Sequence, residues 1–200
     1  MTIHKELREF GRAVLVMVTL VVVLGLLYPL VVTGIGQVAF PGNANGQKVY
    51  VNGKLVGSKI IGQSFAGDPR YFQSRPSGTS PADDAAATSF ANYGPNSTVT
   101  RNAIASNVGK YIALNGRYYP GGLTAAKVPV DAADTSASGI DPDISVANAR
   151  IQAYRIAAVR HVSLAEVHML IARYTSGRGL GFSGEPAVNV LELNLALDRL

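Results

Sequence analysis

Apolar positions follow two patterns along this chain. From Ala13 to Val32 it reads AVLVMVTLVVVLGLLYPLVV, and no Asp, Glu, Lys or Arg lies between Ala13 and Gln47. A helix of about twenty residues rises about 30 Å, the thickness of a bilayer's hydrocarbon core. This predicts one N-terminal transmembrane helix over 13–36, preceded by a short tail, 1–12, and followed by a single domain over 37–200. The apolar core of a secretory signal is shorter, about 7 to 15 residues, so the length points to an anchor. Gly34-Ile35-Gly36 is a small-x-small pattern that leaves cleavage open.

Beyond Phe40 the apolar runs are short and punctuated. Asn52-Gly53 between KVYV and KLVG predicts a two-residue hairpin, whose loop positions both need positive φ. Lys59 to Phe65 is expected to add a strand. Residues 67–100 are dense in Gly, Pro, Ser, Thr, Asn and Asp and predict irregular structure, with Tyr71 and Phe72 as its buried anchors. A helix is expected over Arg101 to Leu114 with Gly116 stopping it, then a turn over Tyr118 to Gly122 and an extended run at Val128-Pro129-Val130. Ser145 is a candidate N-cap for a helix over Val146 to Arg160. Ser163-Leu164-Ala165-Glu166 is a capping box opening a helix with Leu164, Val167, Ile171 and Tyr174 on one face, ending before Gly177.

The last segment, AVNVLELNLALDRL, reads two ways. Leu191, Leu193, Leu195 and Leu197 alternate as in a strand, yet Asn189 and Glu192 form an N-cap/N3 pair flanked by Val188 and Leu193 as a staple. The helical reading is adopted. Together the elements predict an α+β or α/β domain with a small sheet and several helices.

Charge adds direction. Lys5, Arg8 and Arg12 precede the span, and the next basic residue is Lys48. By the positive-inside rule the N-terminus is cytoplasmic and the domain extracytoplasmic. The net charge is +5, and the part beyond the span carries 15 basic and 11 acidic residues. Arg150, Arg155 and Arg160 recur every five residues and so project in different directions on a helix, unlike a nucleic-acid stripe. Within the span, Tyr28 suits the outer interface, Pro29 a kink, and Gly25 and Gly34 close approach of a partner helix.

Candidate chemistry is sparse. The chain has no cysteine, which excludes disulfides and thiolate chemistry. Of its three histidines, His161 and His168 lack a third ligand at metal spacing and His4 lies before the span. No G-x-S-x-G element surrounds a serine. Gly57-Ser58-Lys59-Ile60-Ile61-Gly62 lacks the Gly-Lys-Ser/Thr end of a phosphate loop, and Gly177-Arg178-Gly179-Leu180-Gly181 follows a helix instead of a strand. The residues therefore predict no catalytic site and no metal site.

Several stretches fall in one family's order: LGLLYPLVVTGIGQVAFPGNANG, GSKIIGQSF, YFQSRPSGTS, NYGP, SASGIDPDIS and GFSGEPAVNVLELNLALD. They resemble the C subunit of the Kdp-type potassium-transporting P-type ATPase (KdpC), over nearly the whole chain from Leu24 to Asp198. The chain departs from the usual pattern at Ala137, at ANYGP and over TVTRNAIASNVGKYIALNG. The resemblance implies a bacterial inner-membrane complex using ATP, magnesium and potassium. Its partners would be a channel-like potassium-binding subunit, a P-type ATPase subunit and a small peptide, together with membrane lipid. The C subunit is described as accessory and as a catalytic chaperone that raises ATP affinity. A glutamine tied to that idea matches Gln152. ATP is cytoplasmic, and the charge-derived orientation places Gln152 outside, about 30 Å of hydrocarbon away. Gln152 is therefore expected to be structural or to act on the channel-like subunit, any effect on ATP travelling by coupling. Gly25, Tyr28, Pro29, Gly34, Tyr71 and Phe72 are the candidate partner contacts, and residues 67–100 the candidate docking loop. The competing reading is a lone membrane-anchored enzyme or binding module.

Overall fold

A computed structural model describes residues 3–88, 92–94 and 96–200. Pro95 of the NYGP motif and residues 89–91 of the 67–100 loop lie outside the described residues. The chain divides into two compact units, Met1–Lys48 and Val49–Leu200.

The first unit is a helical run, Ile3–Ala39, of 37 residues with high mean hydropathy, long and apolar enough to cross a membrane. It consists of α1 (Ile3–Val22), a five-residue π-helical segment (Val23–Leu27) and α2 (Tyr28–Ala39). The π segment explains how Pro29 is accommodated. In an α register the Pro29 ring would press on the Gly25 carbonyl and leave it without a donor. Here the Tyr28 N–H reaches back five residues to the Val23 carbonyl, so the register widens in the turn before the proline. Where the sequence predicts a kink at Pro29, the backbone shows a change of hydrogen-bond register in the turn before it. Phe40, at φ −138°, ends the run, and a single turn, α3 (Pro41–Ala44), follows.

In the second unit, β1 (Lys48–Val51) and β2 (Lys54–Ser58) form the expected hairpin, with Asn52 at φ 49° and Gly53 at φ 75°. The further strand expected over Lys59 to Phe65 does not form. Only a Ser58–Ile61 bridge follows β2, because tertiary contacts take the backbone away. The Gly62 N–H is bonded to the Ile140 carbonyl at 2.8 Å, and a Cβ on Gly62 would lie 2.7 Å from the Asp141 carbonyl oxygen.

After the irregular stretch, α4 (Thr98–Asn115) begins earlier than expected because Ser97 supplies its N-cap. Gly116 keeps right-handed geometry at φ −60° and passes the chain into a 3₁₀ turn, Gly116–Tyr118, instead of halting it. Val130 does not extend the run at Val128-Pro129. It starts a short helix, α5 (Val130–Ala133), after extended Pro129.

The remaining elements build the main core. β3 (Asp143–Ser145) leads directly into α6 (Val146–Arg160), with Ser145 capping the Asn148 N–H. His161 leaves α6 in the left-handed region, at φ 58°. The capping box of Ser163 and Glu166 opens α7 (Leu164–Arg173). β4 (Thr175–Ser176) and β5 (Ala187–Asn189) follow, and Asn189 caps α8 (Val190–Leu197) through the Glu192 N–H. The last segment thus uses three residues as a strand before becoming the expected helix. β5 is central in an antiparallel sheet ordered β3-β5-β4, with Ile144 opposite Val188 and Thr175 opposite Val188. One face of α6, α7 and α8 packs Ile156, Val167, Ile171, Val190, Leu193 and Leu197 around Ile144, Val188 and Phe72. A smaller cluster joins Tyr111, Leu123, Ala132 and Ile151 under α4. One long apolar helix, followed in the chain by an α+β domain with small sheets, is therefore the observed architecture.

Candidate functional site

The most unusual feature of the domain is polar and buried. Residues 69–73 carry no regular structure, so their backbone groups need partners from elsewhere. Asp68 takes the Arg70 and Tyr71 N–H groups, and side chains of α6 and α8 supply most of the rest. On one side, Asn194 of α8 accepts from the Phe72 N–H at 2.8 Å and donates to the Phe72 carbonyl at 3.0 Å. On the other, Gln152 of α6 accepts from the Gln73 N–H at 2.8 Å and donates to the Gln73 carbonyl at 3.0 Å. In extended chain, consecutive residues point their N–H and C=O to opposite sides. Two carboxamides thus act as two one-residue neighbouring strands, one on each flank.

Arg155 completes the clamp. It is wholly buried. Its guanidinium donates to the Tyr71 carbonyl at 3.0 Å, to the Pro69 carbonyl, to Gln152 Oε1 at 2.8 Å and to Asn115 Oδ1 at 2.9 Å. All these acceptors are uncharged, and burial pulls the Arg155 pKa down to about 10, so the group remains cationic at neutral pH. A cation held by neutral dipoles alone is costly to desolvate, and it holds its place only while the fork geometry is satisfied. Arg160 continues the pattern toward the chain end, donating to the Arg70 and Leu197 carbonyls and to Asp198 at 2.8 Å.

Gln152 has no spare hydrogen-bonding capacity. Its second N–H goes to Asn148 Oδ1 at 2.9 Å, and its second acceptor position takes Arg155. Asn148 Oδ1 also accepts from the Tyr111 hydroxyl at 2.8 Å, and Asn148 Nδ2 donates to Asp131 at 2.9 Å. Burial, with the Asp131 charge nearby, pushes the Tyr111 hydroxyl well above its ordinary pKa, so it stays a donor. The network runs from α5 through α4 and α6 to the 69–73 segment. Further along, Arg75 pairs with Asp141 at 2.9 Å, and Ser77 donates to the Gly139 carbonyl at 2.6 Å.

A cleft of about 290 Å³ opens between this segment and α4, lined by Phe65, Gln73, Arg75, Asp83, Lys110 and Tyr111 among others. Burial raises the Asp83 carboxyl to about 6. Serines line the cleft, but neither His161 nor His168 does, so no hydroxyl there has an imidazole base beside it. Among the described residues no three His, Asp or Glu side chains converge as a metal site would require.

The sequence-predicted contacts fall in different places. Gly25, Tyr28, Pro29 and Gly34 lie on the exposed helix of the first unit, where neither glycine has an atom within 4 Å of its would-be Cβ. Tyr71 is half-buried, donates its hydroxyl to Asp198 at 3.0 Å and lies 4.8 Å from the Arg160 guanidinium. Phe72 is wholly buried in the core, so it anchors the loop and presents nothing to a surface. Sequence reading missed Asn194, Arg155 and Asn148. Their only signal is polarity on faces otherwise apolar, as in Asn194 between Leu193 and Leu195.

Comparisons with known proteins identify the family. The family profile described as "KdpC: K+-transporting ATPase, c chain" matches residues 10–199. A protein of Methylococcus capsulatus named "Potassium-transporting ATPase KdpC subunit" is 48% identical over 195 residues, covering 97% of this chain and 99% of that protein. One of the same name from Mycobacterium tuberculosis (strain ATCC 25618 / H37Rv) is 45% identical over 194 residues, covering 96% and 99%. Another from Acidobacterium capsulatum is 45% identical over 194 residues, covering 97% and 100%. On a profile match and relatives that span almost its full length, this chain belongs to the KdpC family, the c chain of K+-transporting ATPases.

Proposed function

We propose that this chain is an accessory, non-catalytic subunit of an ATP-driven potassium-uptake complex of the P-type ATPase class. Its long apolar helix anchors it in the membrane with the N-terminus in the cytoplasm, as the cluster Lys5, Arg8 and Arg12 supports. Its domain lies outside the cell and packs on the complex's other subunits: a channel-like potassium-binding subunit, a P-type ATPase subunit and a small peptide. ATP, magnesium and potassium are handled by those partners.

The observation that carries the reading is the filled carboxamide of Gln152, spent on Gln73, Asn148 and Arg155. A side chain with both donors and both acceptor positions occupied, buried in the core of a scaffold, holds the fold and contacts no nucleotide. Any effect of the subunit on ATP affinity is then a coupling free energy transmitted through assembly.

The test is co-purification. Tagged full-length chain extracted in mild detergent should bring down a large polytopic subunit and a P-type ATPase in fixed proportion. A chain that purifies alone, folded and monodisperse with its anchor intact, favours a lone membrane-anchored module instead. Orientation is tested by labelling a cysteine placed at Ser80 from outside the cell. The native chain contributes no background because it has no cysteine.

A further inference from the structure

The connection between β4 and β5 carries an exposed apolar tip. Leu180 is 90% exposed and Phe182 75% exposed, two residues apart, and neither joins a core cluster. Tyr50, Leu55 and Ile60 on and just after the β1–β2 hairpin are only about half exposed, and Val130 and Met169 stand on separate elements.

The tip is held in shape. Gly179 and Ser183 exchange both backbone hydrogen bonds at 2.8 Å. Leu180 adopts the left-handed conformation at φ 54°, which leucine ordinarily avoids, and Gly181 follows at φ 82°. Arg178 closes the base on Glu185 at 2.7 Å. Below that, Thr175 and Ser176 pair with Val188 and Ala187, and Val188 is wholly buried. Two large apolar side chains are therefore projected into solvent on a pre-shaped loop rooted in the central strand. Pre-shaping lowers the ordering cost of binding.

Charge selects the occupant. The loop's only cation, Arg178, is spent on Glu185, so the tip is neutral. Binding an anionic bilayer surface draws on unpaired Lys or Arg beside the apolar residues. A neutral apolar projection instead matches an uncharged apolar pocket in another polypeptide. We propose that Leu180 and Phe182 form a docking tip that inserts into an apolar pocket on another subunit of the same ATPase. The inference rests on the accessory-subunit reading above and names the element that makes the contact.

The chain's lack of cysteine supplies the experiment. Phe182→Cys is reacted with a water-soluble maleimide in the purified complex, as isolated full-length chain in detergent, and as isolated chain in vesicles of anionic lipid. Label is read by mass on this chain. The rate should fall about ten-fold or more in the complex alone, as a side chain at an interface centre is sheltered from water. Equal rates in the complex and in detergent overturn the proposal. Equal slowing in vesicles assigns the tip to the bilayer, and slowing that grows with concentration of the isolated chain assigns it to a second copy; either outcome overturns it. Leu180→Asn combined with Phe182→Ser should lower recovery of the partner subunits while leaving the melting midpoint of the isolated chain in place. If that pair alters the fold, the labelling decides. A wild-type chain that brings down no partner defeats the accessory-subunit reading itself, whereas a wild-type complex indifferent to both tip variants defeats this inference only.

Discussion

Gln152 treats Gln73 as a neighbouring strand would: its carboxamide accepts from the Gln73 N–H at 2.8 Å and donates to the Gln73 carbonyl at 3.0 Å. Replacing it with leucine keeps the volume roughly the same but orphans both Gln73 groups and one Arg155 N–H, while Asn148 Oδ1 keeps the Tyr111 hydroxyl. Each buried orphan costs about 1–3 kcal/mol before relaxation, so Gln152→Leu should destabilise the domain by at least about 2 kcal/mol. Denaturant unfolding of the full chain in detergent measures this. Any fall in ATP affinity of complexes carrying Gln152 variants should track the loss of folded, assembled subunit.

Arg155 should be as sensitive. Arg155→Met fills similar space but withdraws the guanidinium donor from the Pro69 carbonyl and leaves the Tyr71 carbonyl with the Gln73 side-chain amide alone, at 3.0 Å. The loss should be about 2–3 kcal/mol, with part of the orphan cost returned because a desolvated charge is removed. Arg155→Lys should not rescue, since an ammonium cannot reproduce the fork onto Asn115, Gln152 and the loop. An Arg155→Met chain that unfolds at the wild-type denaturant concentration would show the clamp to be dispensable.

Asp83 gives a pH signature. Burial raises its carboxyl from 3.8 to about 6, so the folded state holds the proton more tightly than the unfolded chain. Stability from this group is fully present below about 4 and is lost as the pH rises through about 6. The carboxyl is partly solvated, so the effect should be on the order of 1 kcal/mol. Between pH 4 and 7 the melting temperature of the wild type should fall relative to that of Asp83→Asn, which has no carboxyl there to lose a proton. Asparagine also tolerates the φ of 60° found there.

Pro29→Leu restores the N–H that proline lacks and removes the reason for the π segment over Val23–Leu27. Apolar length is unchanged, so membrane insertion should be normal. Recovery of the complex in mild detergent should fall, because Tyr28 and the glycines around it would be presented in a different register. Unaltered recovery would make the π segment an incidental accommodation.

Local devices were legible in the sequence because their physics is local. Ser145, Ser163 and Asn189 announce helix starts through a side chain and an N–H three residues on, and Asn52-Gly53 announces its hairpin through two positive φ angles. The strand expected over Lys59 to Phe65 failed for a tertiary reason: Gly62 packs on Ile140 and Asp141, nearly eighty residues away in sequence. The clamp was hidden for the same reason. Gln152 and Asn194 look like ordinary polar residues on helices until Phe72 and Gln73 are laid between them. Gln152 entered the sequence reading through family resemblance alone. The π segment escaped because Pro29 announces a disturbed helix without saying how the backbone will absorb it.

The most direct test of the account is labelling of the intact, correctly oriented complex with a photo-crosslinkable ATP analogue, followed by peptide mapping. Label should appear on the P-type ATPase subunit and be absent from this chain, including the α6 peptide around Gln152. Nucleotide recovered on that peptide, and competed away by ATP, would contradict both the scaffold role of Gln152 and the outward placement of the domain.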